Sequence, residues 1–155
     1  MKPLKVTMQA FGSYGRKTEI DFTVPDQNLF LITGDTGAGK TTIFDALVFA
    51  LYGATGSASN KKDGAELQSQ FAGYDREPFV ELTFLEQSGE ETGIYTVRRV
   101  PRHIRPLKRR SREGFKEEKE TVSLIMPDGL EYSRNVKETD KKLEEIVGLT
   151  REQFM

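Results

Sequence analysis

Lys40 and Thr41 are the side chains best placed to do chemistry, because three glycines precede them in Gly34-Asp35-Thr36-Gly37-Ala38-Gly39-Lys40-Thr41. The spacing G-x-x-x-x-G-K-[ST] is that of a phosphate-binding loop. Glycine has no Cβ, so the backbone can take positive φ and turn successive N–H groups onto a polyanion at close range. A helix that starts there aims its positive end at the same point. Lys40 is expected to reach the β- and γ-phosphates of a nucleoside triphosphate as the catalytic point charge. The Thr41 hydroxyl is expected to ligate Mg2+, a hard cation that prefers oxygen. A glycine loop that only turned a corner would need neither group.

Two elements must hold such a loop. Leu29, Phe30, Leu31 and Ile32 form a short apolar run, which reads as a strand buried on both faces. After the loop, Ile43, Phe44, Ala46, Leu47, Val48, Phe49, Ala50 and Leu51 are apolar nearly all the way round, as in a helix sunk in a core. Asp45, one turn into that helix, is read as a packing or capping group rather than a metal ligand.

Composition bounds the rest. With 155 residues, 36% of them hydrophobic, the chain has room for one domain with a real core. No cysteine is present, which excludes a disulfide framework and a cysteine zinc site and suits a reducing cytoplasm. No apolar run approaches the length of a membrane span, so a soluble, cytoplasmic protein without a membrane partner is expected. Charge is segregated. Arg98, Arg99, Arg102, Arg105, Lys108, Arg109, Arg110 and Arg112 follow one another with no acid between them, and against a total of −1 these eight cations leave −9 for the remainder. Such a stretch suggests a polyanionic partner, DNA, weighed about evenly against a solvated loop whose arginines pair with Glu113, Glu117, Glu118 and Glu120 just after it.

Along the chain, Leu4, Val6, Met8 and Ala10 alternate with polar residues, and so do Ile20, Phe22 and Val24; two antiparallel strands therefore lead into the loop strand. Residues 53 to 64 read as a polar surface loop and residues 65 to 71 as a short helix. Strands return at residues 79 to 86 and 93 to 100, then at 121 to 126. Between the last two, residues 98 to 120 read as an exposed basic arm, in which His103 is an incidental surface group. Asn135 or Thr139 caps a helix ended by Gly148, and Thr150-Arg151-Glu152-Gln153 has capping-box form. A sequence that stops on a helix start is expected to have been cut there.

This order of elements, with Ile20-Asp21-Phe22 before the loop, Phe44-Asp45-Ala46 and Ala50-Leu51-Tyr52-Gly53 after it, Arg98-Arg99 and Pro101 in the meander, and Gly148-Leu149-Thr150 with Gln153-Phe154 near the end, resembles the N-terminal part of SbcC. SbcC is the bacterial branch of the SMC-like double-strand-break repair ATPases, and the resemblance covers essentially the whole chain. It implies an α/β fold, the N-terminal lobe of an ABC-type P-loop ATPase head, with a mixed sheet and an antiparallel meander around a buried loop helix. Residues 1 to 155 would be that lobe, stopping before the family's glutamine loop and coiled coil. The implied cofactors are ATP and Mg2+. The implied partners are the C-terminal lobe of the same polypeptide, a second head in a homodimer, an SbcD-type nuclease and DNA.

Carried over residue by residue, Asp35, Thr36, Gly37, Ala38, Gly39, Lys40, Thr41 and Thr42 would hold the phosphates. Ser13 and Tyr14 fall where relatives place residues near the adenine, Gly12 stands where some members have arginine, and Gln68-Ser69 replaces Arg-Ser. An ATP hydrolase is implied for the full-length protein, with nucleotide binding but little turnover in this stretch alone. The alternative from a different class is an SMC-like module acting mainly as a DNA-binding clamp. A small-molecule kinase fits poorly, since a meander rather than βαβ alternation follows the first helix.

Overall fold

The computed structural model describes residues 1–24, 31–55, 64–107 and 114–154. Its centre is a six-stranded sheet built from β1 (Lys2–Gln9), β2 (Thr18–Asp21), β3 (Phe79–Ser88), β4 (Glu91–Val100), β7 (Thr121–Ile125) and β8 (Glu131–Tyr132). Their order is β2-β1-β3-β4-β7-β8, and among the described residues all neighbours are antiparallel, where the resemblance implied a mixed sheet. Register follows the alternation in the sequence. Val6 pairs with Leu82 and Leu82 with Val97, while Val97 pairs with Leu124, so one row of apolar side chains runs across four strands. All four are fully buried.

Helix α1 (Lys40–Tyr52) lies on that apolar face, burying Ile43, Ala46, Val48, Phe49, Ala50 and Leu51. Its 13 residues end at Gly53, whose φ of 71° lets its N–H return to the Phe49 carbonyl. Helix α2 (Val136–Val147) adds Leu143 and Val147 to the same core. Asn135 caps it by accepting from the Glu138 N–H, and Gly148 closes it in the left-handed region. The capping box at the start of α3 (Arg151–Phe154) forms as expected, with Gln153 accepting from the Thr150 N–H and Thr150 from the Gln153 N–H. No helix among the described residues is long and apolar enough to cross a membrane.

Three expectations change. The apolar run before the loop is not a strand where it is described: Leu31 and Ile32 have no strand assignment and are 86% and 42% exposed. Leu29 and Phe30 lie outside the described residues, as does most of the polar loop before Gly64. A strand needs a hydrogen-bonding neighbour, and burial on both faces needs a layer packed over each; among the described residues no strand pairs with residues 31 to 35.

The second change is the basic arm. Arg98 and Arg99 belong to β4 itself, and β5 (His103–Pro106) pairs antiparallel with β6 (Phe115–Glu118) in a separate two-stranded ribbon. The arm is therefore a hairpin, at least outside residues 108 to 113, which are not described. Third, His103 is buried, with Nδ1 2.8 Å from the Pro101 carbonyl oxygen. Its neighbour in the ribbon is Glu118. A hairpin that folds back onto the domain covers its first residues, and composition does not show this. The short helix before Phe71 is a 3-10 turn at Gly64–Leu67, and it is held to β5 by the Gln68 side chain, which donates to the Ile104 carbonyl and accepts from its N–H.

Candidate nucleotide site

Residues 33 to 38 are exposed, and the loop enters α1 through Gly39. Gly37 and Gly39 both sit at φ 86°, in the left-handed region closed to most side chains. For Gly37 the backbone angle is the whole reason, since a Cβ there would meet nothing; at Gly39 a Cβ would also come within 3.1 Å of the Tyr14 ring. No side chain caps the start of α1, and its first turn holds no acid. The first N–H groups of the helix thus have no side-chain partner and can serve an anion.

Lys40 turns back over the loop, donating from Nζ to the carbonyl oxygens of Gly34 and Asp35, the latter at 2.6 Å. Its ammonium therefore sits at the loop's mouth. Thr41 is exposed on the first turn. A hollow of about 270 Å³ is lined by Ser13, Thr36, Gly37, Gly39, Lys40, Thr41 and Thr42. Glycines at positive φ, an uncapped helix start, an ammonium and an exposed hydroxyl fit a triphosphate with its hard cation.

The turn between β1 and β2 braces this loop. Phe11 and Tyr14 close it by exchanging backbone hydrogen bonds, and Phe11 anchors it in the core against the Phe49 ring. Ser13 Oγ lies 3.1 Å from Thr42 Oγ1, and the Tyr14 hydroxyl donates to the Gly39 carbonyl at 3.4 Å. Ser13 and Tyr14 do different work. Ser13 faces the hollow, whereas Tyr14 packs under Gly39 and supports the loop.

Gly12 explains itself here. Its φ is 53°, and a Cβ would fall 2.5 Å from Thr42 Cγ2, so no longer side chain fits beside Thr42 in this arrangement. A second cleft, of about 370 Å³, opens on the far side of the Ser13–Thr42 contact; Asp45, Glu66, Gln68, Gln70 and Phe71 contribute to its walls. Sequence reasoning did not join these residues into one site. The only local signal was the glycine-rich turn at Phe11 to Gly15.

The described cations of the basic stretch, Arg98, Arg99, Arg102 and Arg105, are each paired by the fold. Arg98 meets Glu77 and Glu81, each at 3.6 Å, and its guanidinium covers the Phe79 ring at 3.7 Å. Arg102 pairs with Glu117 at 3.4 Å, and Arg105 with Glu118. That pairing, a side-chain hydrogen bond above all, holds the Glu118 carboxyl below its ordinary pKa. Arg99 is fully buried: Nη1 donates to Glu120 at 2.7 Å, Nη2 to Asp140 at 2.6 Å, and Nε to the Ala50 carbonyl at 3.1 Å. Expected at a DNA surface, Arg99 is out of reach of any polyanion. Lys108, Arg109, Arg110 and Arg112 lie outside the described residues.

A mostly antiparallel sheet covered by a core helix that a glycine loop opens makes a mixed α/β domain, consistent with the P-loop ATPase class. The family model described as an AAA domain matches residues 5–155, and the chain belongs to that family. It is similar to the SbcC subunit of the nuclease SbcCD from Vibrio cholerae, 36% identical over 157 residues that cover 99% of this chain and 15% of that protein. The protein of the same name from Lactococcus lactis is 36% identical over 161 residues, covering 99% of this chain and 14% of its own. A Staphylococcus epidermidis relative, also so named, reaches 52% over 73 residues, 46% of this chain and 7% of the relative. The chain thus spans about a seventh of the two relatives that it matches along its whole length.

Proposed function

We propose that this chain is the N-terminal ATP-binding lobe of an SbcC-like ABC-type head. It would hold ATP–Mg2+ through Asp35 to Thr42, with Lys40 on the terminal phosphates and Thr41 on the metal. The observation that carries this reading is the uncapped start of α1, where two left-handed glycines and the Lys40 ammonium converge. The cleft beyond Ser13 and Thr42 is the natural place for ribose and base, because it continues the phosphate hollow through two shared residues. In the whole protein the C-terminal lobe and a second head would complete the site. Nucleotide then favours the closed homodimer by binding it more tightly, and hydrolysis releases it, which would control an SbcD-type nuclease on DNA during break repair.

The deciding measurement is nucleotide affinity of the chain with Lys40→Ala. The wild-type chain is expected to bind a fluorescent ATP analogue weakly in the presence of Mg2+, with no turnover above background, and the variant to lose at least tenfold in affinity, one charge-assisted contact being worth roughly 1.5–3 kcal/mol. Equal affinity in the two would remove the phosphate loop from the mechanism.

The clamp reading is favoured by one observation. Arg98, Arg102 and Arg105 sit in partly exposed pairs, which are worth little and can exchange a carboxylate for a phosphate. With Lys108, Arg109, Arg110 and Arg112 they would neutralise DNA phosphates, and the slope of affinity against salt would fall when all seven are neutralised.

A further inference from the structure

Residues 67 to 69 belong to two neighbourhoods at once. Leu67 and Gln68 line the cleft beyond Ser13 and Thr42. On one side the backbone of this segment runs against the turn that braces the phosphate loop: the Gly12 N–H donates to the Leu67 carbonyl at 2.9 Å, and the Ser69 N–H to the Ala10 carbonyl at 2.7 Å. On the other side the Gln68 side chain reaches β5. Its Nε2 donates to the Ile104 carbonyl at 3.0 Å, and its Oε1 accepts from the Ile104 N–H at 3.2 Å. A further contact lies beside these, since the Arg102 guanidinium fills the space that a Cβ at Gly64 would need, 2.9 Å from Nε.

Alternation decides which side chain goes where. Leu67 and Ser69 are buried, while Gln68 between them is half-buried and turns to the hairpin. Its amide satisfies both backbone groups of one residue, as a strand partner would. Ala10, whose carbonyl receives the Ser69 N–H, sits at φ 48° and is the only non-glycine residue at positive φ among those described. Strain of this kind persists where the surroundings over-determine a conformation. The cleft wall is therefore held from two sides, by the strained turn at residues 10 to 12 and by the hairpin.

We propose that Gln68 is a positioning residue for nucleotide binding: it ties the wall of the ribose-and-base cleft to the β5–β6 hairpin, so that affinity for the base and docking of the hairpin rise and fall together. The inference rests on the ATP-binding reading above, with its placement of ribose and base, and adds what holds that cleft in shape. The amide is engaged with Ile104, so Gln68 acts through the backbone of residues 67 to 69. A wall held by two hydrogen bonds shifts when they are lost, whereas the phosphate loop keeps the geometry that Gly37, Gly39 and Lys40 give it. Linkage makes the coupling reciprocal: the factor that a docked hairpin adds to affinity for the base is the factor that a bound base adds to docking.

The test is displacement of a fluorescent ATP analogue by ATP and by inorganic tripolyphosphate, each with Mg2+; the ratio of the two affinities is the share owed to ribose and base. The wild-type chain is expected to bind ATP more tightly than tripolyphosphate. Gln68→Met, which keeps the length of the side chain but neither hydrogen bond, is expected to lower the ratio roughly fivefold to tenfold and to leave tripolyphosphate affinity within about twofold. Gln68→Glu keeps the acceptor for the Ile104 N–H and is expected to fall between. Exchange of the Ile104 amide hydrogen should slow when ATP is added to the wild type, but not when tripolyphosphate is added, nor with either ligand in Gln68→Met. A ratio unmoved in both variants, an equal loss for both ligands, or an Ile104 amide indifferent to ATP would overturn the positioning role. Equal binding of the two ligands by the wild type would instead sink the ribose-and-base cleft, and binding of neither would sink the nucleotide reading itself; the inference falls with each.

Discussion

The two ends of helix α1 solve opposite problems. At its start the N–H groups have no side-chain cap, the glycine loop is exposed and the Lys40 ammonium stands over it. At its end the carbonyls of Ala50 and Leu51 are taken by the buried Arg99 guanidinium, which Glu120 and Asp140 hold from the other side. One end is left uncapped; the other is locked by a cation of the protein's own. Since a helix moves as a rod, fixing its far end on the sheet and on α2 fixes where the loop points. The contrast shows how the domain keeps a reactive terminus exposed without letting the element that carries it drift.

Breaking the locked end has the largest expected effect. Arg99→Ala takes the buried guanidinium away from Glu120, Asp140 and two helix carbonyls, and should cost about 3 kcal/mol, read as a fall in denaturation midpoint. If stability holds, the guanidinium is not the clamp. Gly39→Ala strikes the open end, through a positive φ and the Tyr14 ring together. A destabilisation of about 1–2 kcal/mol is expected, with a larger loss of nucleotide affinity because the N–H groups are re-aimed. Affinity that falls no more than stability would mean the loop tolerates a side chain.

The smallest effect sharpens the comparison by pH. Tyr52, the last residue of α1, donates its hydroxyl to the Leu149 carbonyl at 3.0 Å. Burial, and then the Glu144 charge, push its pKa up to about 12. The folded state holds that proton more tightly than the unfolded chain, whose tyrosine titrates near the ordinary value of 10. Stability from this group is therefore complete below pH 10 and is lost as the pH rises toward about 12. Tyr52→Phe should abolish that slope, leaving a flat alkaline limb where the wild type declines; a slope shared by both would place its origin elsewhere.

Much of this molecule could be read from local pattern. The loop, the helix behind it, the glycine at each helix end and the capping box at Thr150 are set by residues within a few positions of one another, where backbone angles and hydrogen bonds are decided. The individual strands were legible for the same reason, since alternation is a property of each strand. The run at Leu31 and Ile32 misled because burial on two faces is decided by what lies alongside, which the run does not contain.

Charge shows the division most clearly. By itself the sequence determined that a glycine-rich loop opens a buried helix, and that cations gather between Arg98 and Arg112. Only the tertiary structure decided between a polyanion surface and pairing with the following glutamates for the cations it describes, and it chose pairing. Glu120 and Asp140 come to Arg99 from 21 and 41 residues away, and Glu117 and Glu118 face Arg102 and Arg105 through the pairing of β6 with β5. Coulomb attraction depends on distance in space, and sheet register sets that distance. A stretch without acids in sequence thus became a set of ion pairs, and one of its arginines became the buried clamp on the loop helix.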